Sequence, residues 1–252
     1  MRSLRRFGII AIVLAVAMGG GVFVVNRKQP DDTTNPATGS TAPSFDKQKY
    51  ATTDPVSMWV VVNKTRPLNP KTYAPGDLII PSLPLRLGSG NGEMQLRAPA
   101  AQALEAMAAA AQNEAGLKLM LASGYRSYNL QVSVYNAEVK SYGQAKADTE
   151  SARPGYSEHQ TGLAADIEPA SRKCEVADCF GSTPEGQWLA ANAYKYGFII
   201  RYLPDKQGVT GYRAEPWHVR YIGTELSNEL HKQGITTLEE FFDLPAAPHY
   251  LQ

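Results

Sequence analysis

The chain has 252 residues, enough for one catalytic domain plus appendages. Its 25 basic and 24 acidic residues nearly cancel, for a net charge of +1, so nothing in the charge balance calls for nucleic acid as a partner. No Gly-rich phosphate loop, dinucleotide fingerprint or internal repeat is present, which sets aside nucleotide-dependent chemistry and solenoid folds.

The N-terminus departs from this ordinary composition. Arg2, Arg5 and Arg6 precede an apolar run from Phe7 to Val25, which Arg27 and Lys28 close. At ~1.5 Å rise per residue such a helix is about long enough for a bilayer core of ~30 Å. The basic head orients the N-terminus inward and the rest outward. Residues 1–28 therefore read as a membrane anchor, with a signal peptide cut after Ala15-Val16-Ala17 as the alternative; run length favours the anchor. Both readings put the remainder outside the cytoplasm. Residues 29–48, rich in Pro, Thr, Asp, Asn and Ser, hold too little apolar surface to fold and read as a flexible linker. Residues 49–252 are the folded domain, beginning near Tyr50, and a monomer is expected.

Within that domain Met58 to Val62 and Leu78-Ile79-Ile80 are apolar runs suited to short buried strands. Pro99 opens a helix that closes before Gly116, and Leu104 and Met107 lie on its core face. Leu117 to Ala122 predicts a strand that delivers Ser123-Gly124-Tyr125-Arg126-Ser127. Ser127 can cap a helix running to about Tyr142, ended by Gly143. Arg126 falls at that strand-to-helix turn, where side chains commonly face a cleft, although position alone favours an ordinary surface arginine.

After the break Ser151-Ala152-Arg153-Pro154-Gly155 comes the most informative stretch, Ser157-Glu158-His159-Gln160-Thr161-Gly162-Leu163-Ala164-Ala165-Asp166. Gly162 allows a sharp turn, and the segment from Leu163 alternates so that Asp166 can face a site while Ala165 and Ile167 pack inward. Cys174 and Cys179 sit close together, which in an oxidising compartment fits a small disulfide loop; two free thiols are the alternative. Thr183-Pro184-Glu185 starts a helix that includes Trp188 and Leu189, and Phe198 to Tyr202 is a strand. Glu215-Pro216-Trp217-His218 opens the last important strand. Strict alternation puts Glu215 and His218 on opposite faces, unless Pro216 lets Glu215 precede the regular pleat. Two short helices follow, the second announced by a capping box of Thr236 with Glu239. A small, mostly antiparallel sheet flanked by helices makes the fold α+β, a single catalytic domain behind the N-terminal segment.

Two of the four histidines, His159 and His218, lie in polar motifs with carboxylates beside them. With Asp166 they supply three metal ligands, and three protein ligands with one open position describe a catalytic zinc site. Glu215 is then a spare carboxylate able to take a proton from water, so the pattern points to a metal-dependent hydrolase.

The pattern Ser-x-His-x-x-Gly-x-x-x-Asp followed by Glu-x-Trp-His resembles the VanY-type zinc D-Ala-D-Ala carboxypeptidases. They form part of a wider group with D-Ala-D-Ala dipeptidases and lysostaphin-like and hedgehog-like domains. Val62-Asn63-Lys64, Tyr73-Ala74-Pro75-Gly76-Asp77-Leu78 and Ser123-Gly124-Tyr125-Arg126-Ser127 extend the resemblance to roughly Val56–Asp243. It implies that His159, Asp166 and His218 bind Zn2+ and that Glu215 activates the metal's water. It also implies that Arg126 holds the carboxylate of a terminal D-alanine and that Ser157 assists through its hydroxyl. The implied partners are peptidoglycan stem peptides and, through the N-terminal segment, the membrane. L,D-carboxypeptidase or endopeptidase action would use the same metal site. A cytoplasmic dipeptidase fits poorly with the N-terminal segment, and a non-catalytic wall-binding module fits poorly with intact Glu215 and Arg126. The stretch Arg172 to Phe180 lies outside the recognised pattern and is expected to border the groove.

Overall fold

A computed structural model describes residues 45–251. Among them no helix is long and apolar enough to cross a membrane, and the run Phe7 to Val25 lies outside them. Folded contacts begin ahead of Tyr50: Phe45 stacks on Trp59 and meets Phe241 edge-on, both at 5.5 Å between ring centroids.

Among the described residues there are two antiparallel sheets. The small one pairs β1 (Leu78–Ile79) with β2 (Leu96–Arg97). The larger is wholly antiparallel, in the spatial order β3, β4, β6, β5, from β3 (Leu119–Ser123), β4 (Ala164–Pro169), β5 (Phe198–Tyr202) and β6 (Glu215–Tyr221). Helices flank it, so the α+β expectation holds for the described residues. Helix α1 (Ala98–Ala115) carries proline in its first turn and ends at Gly116 in the left-handed conformation, as the sequence predicts. Helix α2 (Tyr128–Tyr142) is capped by the Ser127 hydroxyl, which accepts from the Leu130 N–H. Helices α3 (Gln144–Glu150), α4 (Pro184–Asn192), α5 (Gln207–Thr210), α6 (Thr224–Gln233) and α7 (Leu238–Phe241) complete the set.

Side chains on a strand alternate between faces, and here the two faces of the large sheet have opposite character. Leu119, Leu121, Ala165, Ile167, Phe198 and Val219 pack with Leu104 and Met107 of α1 and Leu189 of α4 in the main core. Burying each large side chain of this kind contributes roughly 1.5–3 kcal/mol. Asp166, Glu168, Arg201, His218 and Arg220 alternate with these core residues and are also buried. A charged face can be buried only if its charges find partners, and the segments laid over it supply them.

Two expectations are corrected. Met58 to Val62 is not a strand: Trp59 to Val62 are buried, but their carbonyls serve side chains. Those of Met58 and Val60 accept from Arg220, and that of Val61 accepts from Arg66. The capping box of the last helix is one residue later than expected. Thr237 caps α7 and bonds Glu240, while Glu239 turns inward to bind Arg201. An inward arginine outcompeted the local cap for the first glutamate.

Candidate active site

The centre of the site comes from register. Asp166 on β4 and His218 on β6 are direct cross-strand partners, so their side chains rise side by side from the charged face. His159 joins from the 3-10 turn Glu158–Thr161 that leads into β4. Gly162 ends that turn at φ 68°, and a Cβ there would meet Arg97 Cγ at 2.9 Å, so a side chain is excluded twice over. His159, Asp166 and His218 present one ligand atom each, all within 4.8 Å of one another.

Hydrogen bonding decides which nitrogen each ring offers. His159 Nδ1 donates to the Gly124 carbonyl at 2.6 Å, which leaves Nε2 facing Asp166 Oδ2 at 3.4 Å. Gly124 must be glycine, because a Cβ there would sit 2.4 Å from the Gln95 carbonyl oxygen. His218 is turned the other way, with Nδ1 3.4 Å from Asp166 Oδ1 and 3.5 Å from Glu215 Oε2.

Glu215 and His218 share a side despite their spacing, because β6 is irregular between them. Ile200 pairs with Val219 but Tyr202 pairs with Glu215, so two residues of β5 span four of β6. The register shift interrupts the regular pleat between these pairs, and Glu215 comes to within 3.5 Å of His218. Pro216 alone did not reveal this; the irregularity lies inside the strand rather than before it.

The electrostatics are those of a site short of positive charge. Burial disfavours the Asp166 carboxylate, yet His159 and His218 hold its pKa well below the usual range. Burial pushes the His159 pKa down, with Asp166 opposing. Burial also opposes the His218 cation, but Asp166 and Glu158 override it and raise that pKa to about 9. Burial lifts Glu215 to about 7, with His218 opposing and Asp166 adding to the rise.

These groups line a cleft of about 510 Å³ that also takes in Arg126, Ser157 and Arg213. Arg126 is held by Gln131 Oε1 at 3.2 Å and Ser123 Oγ at 3.3 Å, while its buried Nε has no partner. Its backbone N–H donates to the His159 carbonyl at 3.2 Å, so the arginine and a candidate ligand are tied together. Cys174 and Cys179 are disulfide-bonded, with Cα atoms 5.6 Å apart, and Val176 from that loop lines the cleft.

Residues 93–224 match the family model of VanY, D-alanyl-D-alanine carboxypeptidase. The chain belongs to this family. It is 43% identical over 190 residues to YodJ of Bacillus subtilis (strain 168), covering 75% of this chain and 68% of YodJ. A solved LdcB LD-carboxypeptidase is 43% identical with a TM-score of 0.71, covering 75% of this chain and 87% of its own. A mutant VanY D,D-pentapeptidase from a VanB-type resistance cassette, solved in complex with Zn(II), is 34% identical with a TM-score of 0.58, covering 74% and 98%.

This VanY-family chain is thus a carboxypeptidase, and its donor set fits zinc. One buried atom of the site, Asp166 Oδ1, has no hydrogen-bond partner. Two imidazoles and a carboxylate are ligands zinc accepts in a catalytic site. Zinc is the metal for which this site is built.

The sequence pattern gave no role to Glu158, although it stands between Ser157 and His159. Its carboxylate is buried behind His218, paired with Arg201 and Arg220 at 2.8 and 2.9 Å. Arg201 interrupts the otherwise apolar run Phe198–Tyr202, and that was the available signal: an arginine in a buried strand demands a buried carboxylate.

Proposed function

We propose that this chain removes the C-terminal D-alanine from peptidoglycan stem peptides in a zinc-dependent, Glu215-assisted hydrolysis. The observation that carries this reading is one cleft holding the His159, Asp166 and His218 donors, Glu215 3.5 Å from His218, and Arg126. His159, Asp166 and His218 would hold the ion. Zinc in such a position lowers the pKa of water to about 7 and polarises a carbonyl. Glu215, with its carboxyl lifted to about 7, is poised to take a proton from the attacking water and return it to the leaving amine. Arg126 pairs its planar fork with the peptide's terminal carboxylate, so cleavage releases one residue rather than cutting internally. Ser157 assists through its hydroxyl at the same cleft. The reading also places the domain outside the cytoplasm, tethered by the run Phe7 to Val25.

A second reading, L,D-carboxypeptidase action on a stem ending in one D-alanine, is favoured by the likeness to LdcB. Both are tested together by incubating the protein with muramyl peptides ending in D-Ala-D-Ala or in a single D-Ala. Mass spectrometry follows loss of the terminal residue, with chelator and Glu215→Ala controls. Chelator-sensitive release from the first peptide supports the D,D reading, and release from the second alone supports the L,D reading. No release from either by the zinc-loaded protein overturns both.

A further inference from the structure

Most of the buried charge behind the metal site is fully partnered. Glu158 Oε1 accepts from Arg201 Nε at 2.8 Å and from Arg220 Nη1 at 2.9 Å. Arg201 in turn makes a bidentate pair with Glu239 at 2.7 and 2.9 Å, and Glu239 also accepts from Asn63 Nδ2 at 2.8 Å. Arg220 donates to the carbonyls of Met58 and Val60. One pair of atoms stands out: Glu158 Oε2 and His218 Nε2 are both buried, both lack another partner, and face each other at 3.4 Å.

We propose that Glu158 is a positioning residue that sets the tautomer of His218, keeping the ring proton on Nε2 and leaving the Nδ1 lone pair for the metal. An ionised carboxylate only accepts, so the nitrogen turned toward it must carry the proton. The opposite tautomer would aim the Nε2 lone pair at a carboxylate. Arg201 and Arg220 anchor Oε1 from two strands, β5 and β6, so Oε2 stays aimed at the ring. The ring itself is packed against Tyr202, 4.8 Å between centroids. The two histidines thus reach the site by opposite nitrogens, His159 set by a backbone carbonyl and His218 by a carboxylate.

The proposal rests on His159, Asp166 and His218 holding zinc, and its test uses zinc binding rather than turnover. In Glu158→Gln the two arginines claim the amide oxygen, which turns the NH2 toward His218. Nε2 must then accept, the ring proton moves to Nδ1, and the ligand lone pair is lost. Competition with a chromophoric chelator should show zinc affinity falling about 10–100-fold in folded Glu158→Gln protein. Unchanged affinity in folded variant protein would confine Glu158 to a structural role and overturn the proposal. Wild-type protein that binds no zinc at all would sink the metal site along with it. Should the variant fail to fold, histidine 15N NMR of the zinc-loaded wild type decides instead. A His218 proton on Nε2 supports the assignment, and a proton on Nδ1 refutes it.

Discussion

The charged face of the large sheet has two ends, built from the same strands by the same alternation, and they differ in how their charges are answered. At the closed end two arginines, Arg201 and Arg220, meet two glutamates, Glu158 and Glu239, with short hydrogen bonds throughout. At the open end the ion-pair partners of Asp166 and Glu215 are imidazoles, and a buried oxygen of Asp166 has no hydrogen-bond partner. Burial alone therefore does not mark a functional site. The mark is a buried charge that the protein leaves for something else to satisfy, whether a divalent cation or a substrate.

The largest expected effect comes from breaking the open end. Glu215→Ala should keep zinc, because Glu215 is outside the ligand triad, yet lose about 10²–10⁴-fold in kcat as a general base is removed. Zinc content and steady-state rates on the same preparation check this, and near-normal turnover would assign the base elsewhere. Breaking the closed end at Arg201 should act on stability as well. Arg201→Met leaves Glu239 without its bidentate partner, and loss of one member of a buried ion pair costs about 3–5 kcal/mol. Urea unfolding measures it, and a cost below about 1 kcal/mol would mean that the closed end is not held by charge pairing.

The pH profile gives a finer contrast. If Glu215 is the general base it must be ionised to act, so kcat/KM should rise with pH as its proton leaves, about tenfold per unit below the midpoint. The midpoint should lie no higher than about 7, the value to which burial lifts this carboxyl, since a nearby divalent cation favours the charged form. An acid limb centred above about pH 8 would belong to another group. The closed end should add no limb in this range, because Arg201 and Arg220 hold the Glu158 carboxyl far below it.

Much of this is legible in the chain itself. Helix α1 is bracketed by Pro99 and Gly116, α2 by Ser127 and Gly143, and these signals are local, so they survive folding unchanged. The alternation around Asp166 separates its site face from its core face by spacing alone. Two local patterns misled where long-range partners intervened. Met58 to Val62 has the composition of a strand, but its carbonyls are taken by arginine side chains. Glu239 has the spacing of a cap, but Arg201 draws it inward.

Residue types and spacing alone determined that His159, Asp166 and His218 were candidate ligands and that Glu215 was the spare carboxylate, because chemistry of that kind needs those side chains. Only the tertiary structure decided how they meet. Cross-strand register set Asp166 beside His218, an irregular β6 turned Glu215 to the same side, and the buried Glu158 came to stand behind His218. Each of these depends on which strands pair and which charges share a buried face, and such pairings join residues tens of positions apart that no local pattern connects.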